Sequence, residues 1–383
     1  MFQILIRLPE ALSFQEDLLY NIHLHPVPVL PHVESTDRGP YIFQYHLYYQ
    51  YNPYGSKWGN MHWGHSISKD LMHWEHLAAA IARDTLGHIF SGSSIVDQEN
   101  TAGYGEGSIL AFYTSASDKN GQIQCLAYSN DNGRTFTKYE NNPVLGGGDL
   151  GTVFDICVLK DSDSYKMYSS WRPQKSIALS TSKDGKNWSA PQIVLPPVEG
   201  SSWEADMNRP VVVYKDGLYH MWYTGQNDGK SWIGYAISKD GYNFERQSKE
   251  PVLSAEQPWE KVAVMCPHVI WDKHENIFKM WYSGGEQYEP DAIGYATSKD
   301  GLHWTKWDKN PIFKADPAQS WEQHKVTACQ VIERENDYLM FYIGFYDINF
   351  AQIGMARSKD GINDWERYSE NPIISPTEGG WDA

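Results

Sequence analysis

One short pattern recurs six times along the chain and restricts the possible fold more than any other feature. It reads SKDLMHW from Ser68, SNDNGRTF from Ser129 and SKDGKNW from Ser182, then SKDGYNF from Ser238, SKDGLHW from Ser298 and SKDGINDW from Ser358. Successive copies lie 61, 53, 56, 60 and 60 residues apart. A repeat of this period marks an array of supersecondary units, each too small to bury its own apolar face. The runs between copies are short and β-rich, such as PVVVYKD, LYHMWYTG and WIGYAIS in the fourth repeat. Gly, Asp and Asn turns separate them. Helical periodicity is absent except over residues 9–20. The expected fold is therefore all-β: a β-propeller formed by residues 1–383 as a single domain, with six blade-like repeats counted.

The repeated pattern is itself a turn. Its Asp can accept bonds from backbone N–H groups further on, and its Gly supplies a positive φ. The following Trp or Phe is expected to plug between sheets. Ser and Asp in this setting look catalytic one copy at a time, but recurrence in every repeat marks them as scaffold. The element resembles the Asp-box of sialidases, yet the arginine triad of those enzymes is not visible among ten scattered arginines.

Composition narrows the function. A net charge of −16 disfavours nucleic acid and anionic membranes as partners, while neutral sugars are not penalised. With 16 Trp and 25 Tyr the chain is rich in side chains that suit strands and also stack on sugar rings. Cys125, Cys157, Cys266 and Cys329 show neither C-x-x-C spacing nor zinc-finger spacing. They read as buried thiols of a reducing compartment, and no metal or cofactor is expected. The first twenty residues lack a long apolar core and a small-residue cleavage site, so a cytoplasmic location is expected.

From Tyr45 to Leu145, about a quarter of the chain, the sequence closely resembles glycoside hydrolase family 32, the invertases and fructosidases. The stretches YHLYYQYNPYGSKWGNMHWGHSISKDLMHWEHL, FSGSSIVDQENTAGYG and QCLAYSNDNGRTFTKYENNPVL carry the likeness. From Gly148 onward, phrases such as NRPVVVYKDGLYHMWYTG look instead like the wider five-bladed group that includes families 43 and 130. On this reading, residues 1–147 form two family 32-like blades and 148–383 the remainder, without the C-terminal β-sandwich that most family 32 enzymes carry. The resemblance implies five blades, one fewer than the repeats counted.

The resemblance also implies a site. Retaining glycosidases use two carboxylates about 5–5.5 Å apart, and family 32 adds a third that stabilises the transition state. The family's nucleophile motif, W-M-N-D-P-N-G, is absent; counting back from Gln50 by the family's spacing lands on Glu34, with Asp37 a weaker choice. The family's R-D-P motif corresponds to Phe154-Asp155-Ile156, which nominates Asp155, with Asp149 the nearby alternative. Its E-C-P acid falls near SWEADMNRP, which nominates Glu204, with Asp206 competing. Sugar-binding positions correspond to Gln50, Trp58, Phe90 and Ser91. Each of these four also reads as propeller core. Glu286, Glu289, Asp291, His324 and Asp347 could line a funnel of the second kind. The expected activity is hydrolysis of β-fructofuranosides, sucrose or short fructans, with retention. The alternatives are another glycosidase or a phosphorylase run by the C-terminal blades, and a sugar-binding propeller without catalysis.

Overall fold

A computed structural model describes residues 4–5, 45–54, 59–161, 164–348 and 350–375. Among these residues the only helical segments are the 3-10 turns Gly148–Leu150, Pro258–Glu260 and Ser320–Glu322. The rest of the regular structure is strand, arranged as consecutive antiparallel meanders. The first unit contains Tyr45–Tyr51, His62–Ser68 and Glu75–Ile81, with Ile4–Leu5 pairing alongside. The second contains His88–Asp97, Ser108–Ser117, Gly121–Ser129 and Thr137–Lys138; the third Val153–Lys160, Tyr165–Trp171, Ser176–Ser182 and Gln192–Leu195. The fourth contains Asp206–Lys215, Leu218–Asn227, Lys230–Ser238 and Glu245–Arg246. A parallel bridge from Ser231 to Ala263 joins it to the fifth, Ala263–Asp272, Ile277–Glu286, Glu289–Ser298 and Trp304–Lys306. The sixth contains Lys325–Glu333, Tyr338–Phe345, Ala351–Ser358 and Glu366–Arg367. The fold is all-β and propeller-like, as expected. The helical pattern at residues 9–20 lies outside the described residues.

Each SKDG element sits between the third strand of its unit and the short outer strand. The reason is local chemistry. Oδ1 of Asp70, Asp184, Asp240, Asp300 and Asp360 accepts from the N–H groups two and three residues on, at 2.7–2.9 Å. These bonds favour the ionised carboxylate: the Asp184 carboxyl is held at about 2, its hydrogen bonds outweighing the opposing effect of burial. The aromatic residue after each turn packs on the preceding unit. Trp188 meets Phe112 edge-on, Phe244 meets Tyr168, and Trp304 meets Trp222. Trp74 of the first unit meets Phe341 of the sixth in the same way.

The core is correspondingly distributed between sheets. One cluster joins Tyr48 and Trp63 of the first unit to Ile89 and Tyr113 of the second. Further clusters join second to third, third to fourth, fourth to fifth and fifth to sixth. The last places Leu47 and Tyr49 against Leu339, Phe341 and Met355, so first and last units share a core.

Buried histidines in this core make stability depend on pH. Burial holds His65 down at about 3 and His220 and His268 at about 4. The unfolded chain takes up these protons near pH 6.5, but the folded chain does not. Stability is therefore full above about pH 7 and lost progressively as pH falls through 6 toward 4. Thermal melts between pH 4 and 7.5 are expected to show Tm falling throughout that interval, before most carboxylates titrate. A flat Tm down to pH 4.5 would contradict this.

Candidate functional site

The innermost strands of the units carry a shared defect. Pairing with the second strand slips between Ile89 and Gly92 in the second unit and beside Asp155 in the third. It slips between Asn208 and Val211, Met265 and His268, and Thr327 and Cys329 in the fourth, fifth and sixth. These are β-bulges, which re-aim side chains and terminate regular pairing. The residue at the bulge has a positive φ in four units: 49° at Asp155, 53° at Arg209, 53° at Cys266 and 42° at Ala328. A left-handed backbone at non-glycine residues is costly and concentrates at functional positions. Bulges are tied to the neighbouring unit: Arg209 N–H donates to Ser170 Oγ at 3.1 Å and Ala328 N–H to Ser283 Oγ at 3.0 Å. The inner strands of successive units adjoin one another, so the bulges form one axial band.

Several sequence-nominated residues fall on this band. Asp155 occupies the bulge of the third unit, partly exposed, with its carboxylate 3.8 Å from Arg209 Nε. Phe90 and Ser91 are the bulge residues of the second unit and are half-buried. Gln50 is buried near the end of its strand, and its Oε1 has no hydrogen-bond partner among the described residues. Asp149 is exposed on the turn Gly148–Leu150, away from the bulge position. Glu34, Asp37 and Trp58 lie outside the described residues.

Glu204, nominated as the acid, sits in a buried ion pair. Its carboxylate is buried and accepts from Tyr223 Oη at 2.8 Å and Arg246 Nε at 2.9 Å. The same arrangement recurs twice. Glu260 accepts from Tyr282 Oη and Lys306 Nζ, each at 2.8 Å. Glu322 accepts from Tyr342 Oη at 2.7 Å and Arg367 Nε at 2.6 Å. The preceding Trp203, Trp259 and Trp321 lie flat against Gly225, Gly284 and Gly344, where any Cβ would overlap the ring. Trp-Glu is thus a repeated clamp between the outer strand and the second strand. Three of the five Trp-Glu pairs in the sequence form this clamp, and their recurrence ahead of the inner strands was the signal that could have shown it.

The bulges supply the better register for the family motifs. Phe154-Asp155-Ile156 in the third unit corresponds to Asn208-Arg209-Pro210 in the fourth and Met265-Cys266-Pro267 in the fifth. A proline follows the bulge residue in both the fourth and the fifth unit, and the residue before the bulge is Asn208 in the fourth and Met265 in the fifth, neither of them an acid. Asn208 is buried, and its Nδ2 donates to Gln226 Oε1 at 2.7 Å. Asp206, two residues earlier on the same strand, pairs with Arg172, which also lies over the Phe154 ring.

The rim above the band is defined by strand pairing, because Asp206 faces Gln226, Ala263 faces Gly285 and Lys325 faces Phe345. Loops between second and third strands thus stand at the same end as the bulges. They carry Tyr54, Tyr288 and Tyr346, exposed by 66%, 49% and 47%, which sequence reading did not single out. Lys261 joins this rim through ion pairs with Asp291 and Glu286. Glu289 begins a third strand there. His324 N–H donates to the Phe345 carbonyl, and Asp347 Oδ1 accepts from Phe350 N–H, which commits both segments to loop structure. Cys125 and Cys157 are buried free thiols as expected, whereas Cys266 and Cys329 are only partly buried, at or beside bulges.

Meanders around an axial band of bulges, with an aspartate on the band and tyrosines at its rim, define a propeller-like all-β fold. The profile of the glycosyl hydrolases family 32 N-terminal domain matches residues 39–206 and again 200–381. The chain belongs to that family, and the second match extends the family over the half likened above to families 43 and 130. It is 36% identical to the levanase of Bacillus subtilis over 214 residues, 49% of this chain and 31% of the levanase. It is 48% identical to the invertase of Debaryomyces hansenii over 110 residues, 26% of this chain and 20% of the invertase. The matches thus span about a third or less of the curated relatives. Among solved structures, the fructofuranosidase of Schwanniomyces occidentalis complexed with fructose aligns at TM-score 0.49 and 22% identity, over 82% of this chain and 58% of that one.

Proposed function

We propose that the chain is a glycoside hydrolase acting on β-fructofuranosides, sucrose or short fructans, at the axial band. The carrying observation is Asp155, nominated as stabiliser by the sequence resemblance, which lies on a bulge with positive φ and faces Arg209 without a hydrogen bond at 3.8 Å. Its carboxylate is free to bond sugar hydroxyls and to stabilise an oxocarbenium-like transition state. Ser91 and Gln50 would bond further hydroxyls, and Phe90 and the rim tyrosines would stack on rings. Retention requires a nucleophile, for which spacing nominates Glu34. The cluster shared by first and last units supports a six-unit ring within a single propeller domain. The partner is a small carbohydrate, no cofactor is required, and the location proposed from composition is cytoplasmic.

Asn208 favours a second reading, in which the propeller binds fructosides without turning them over, because a neutral amide cannot deliver a proton at the acid position. The two readings separate in one assay. Sucrose and inulin hydrolysis is expected to be slow but measurable, and to fall by about 10²-fold or more in Asp155→Asn, the scale of losing one transition-state electrostatic partner. Fructoside binding with no turnover in either protein would decide for the binding reading.

A further inference from the structure

Arg209 poses a problem that fructoside hydrolysis does not use. Its side chain keeps 9% of its exposure, and Nε and Nη1 have no hydrogen-bond partner among the described residues. A guanidinium buried with unmade bonds is costly, and native structures satisfy such groups with a partner or a bound species. Asp155 does not fill this role, since 3.8 Å is an ion-pair contact beyond hydrogen-bonding distance. Other neighbours hold the guanidinium without neutralising it. The Tyr288 ring lies 5.7 Å from it, and the Arg209 backbone N–H is tied to Ser170 Oγ. The Cys266 thiol is pushed up chiefly by burial, with Arg209 opposing and Asp155 reinforcing, so it stays protonated and supplies no countercharge. The positive φ at Arg209 is a further cost borne to keep this side chain on the axial band.

We infer that Arg209 is an oxyanion subsite on the axial band, built for a phosphate or carboxylate group that enters beside Asp155. Charge geometry selects this class of ligand. Arginine matches planar or tetrahedral oxyanions through several N–H donors, whereas a neutral sugar hydroxyl would leave its charge uncompensated. Lys261, Asp291, Glu286 and the Asp206–Arg172 pair stand at the rim, with their charges mutually paired. Arg209 has the Asp155 ion pair at 3.8 Å but, among the described residues, no hydrogen bond to Nε or Nη1, so its donors remain open to a further acceptor. The oxyanion can come from free inorganic phosphate or from an acidic group carried by the sugar itself. The subsite rests on the position of Arg209 and not on the fructosidase reading, so its failure would leave sucrose hydrolysis unaffected.

Calorimetric titration of the full chain with inorganic phosphate, fructose 6-phosphate, glucuronate and fructose tests the assignment. Phosphate is expected to bind, and Arg209→Gln to weaken it at least about tenfold, as for removal of one member of a buried charge pair. Asp155→Asn is expected to strengthen phosphate binding by removing a nearby like charge. This second variant keeps the test decisive if Arg209→Gln fails to fold. A preference for fructose 6-phosphate or glucuronate over inorganic phosphate assigns the group to the sugar; equal or better binding of phosphate assigns it to a free anion. Absence of binding by all three anions, or binding unaffected by both substitutions, overturns the subsite.

Discussion

Asn208→Glu is expected to raise the rate of sucrose or inulin hydrolysis by about 10²-fold or more, the usual contribution of a positioned general acid. The bulge register supports this, because Asn208 stands immediately before the bulge residue Arg209 and Pro210 at the start of the fourth unit, as the acid of the family's E-C-P opens that motif. Asn208 is buried, so a glutamate there would be partly desolvated, which raises a carboxylic acid toward the range a proton donor needs. Arg209 next along the chain acts in the opposite direction, and the net value sets the acid limb of the pH–rate profile. Asn208→Gln matches the size without the proton and is expected to leave the rate low. Steady-state assays of the three proteins across pH 4–8 provide the check. Should Asn208→Glu fold and bind fructose yet fail to accelerate hydrolysis, the acid is supplied from elsewhere, Asp206 first, or the chain does not catalyse.

The contrast between Asn208 and Glu204 shows where the sequence was legible. The propeller could be read because its determinants are local. Six related turns, four of them Ser-Lys-Asp-Gly, fold through bonds between residues a few positions apart, and their period exposes the blades without any tertiary knowledge. Asp155 could be read because it stands within a motif-like triplet at the start of an apolar strand. The acid position could not be read in this way. A bulge is a property of two paired strands, and nothing in Asp206–Lys215 alone marks where its pairing with Leu218–Asn227 slips. Local likeness therefore favoured Trp203-Glu204, four residues before Asn208. Arg209 was passed over for the same reason: its isolation comes from its surroundings, which assemble from residues as distant as Ser170 and Tyr288.

Glu204→Gln is expected to destabilise the fold while leaving activity per folded molecule unchanged. The carboxylate is almost wholly buried, and both oxygens are engaged by Arg246 while Tyr223 Oη donates to one of them. Glutamine preserves volume but removes the charge, which leaves the Arg246 guanidinium largely buried beside a neutral amide. Breaking a buried pair by neutralising one member typically costs about 3–5 kcal/mol, because the surviving charge keeps its desolvation penalty. Glu260→Gln and Glu322→Gln remove the same clamp from the fifth and sixth units, opposite Lys306 and Arg367, and comparable losses are expected. Three equal effects at three repeated positions are the signature of a scaffold, since each acid makes the same tyrosine and cation contacts within its own unit. Urea denaturation of the three variants gives the stability change, and hydrolysis or fructoside binding normalised to folded protein gives the functional one. A Glu204→Gln protein as stable as its parent but about 10²-fold slower would return Glu204 to the role of general acid. Equal destabilisation of all three, with function intact per folded molecule, fixes the acidic chemistry of this propeller on its axial band rather than in its clamps.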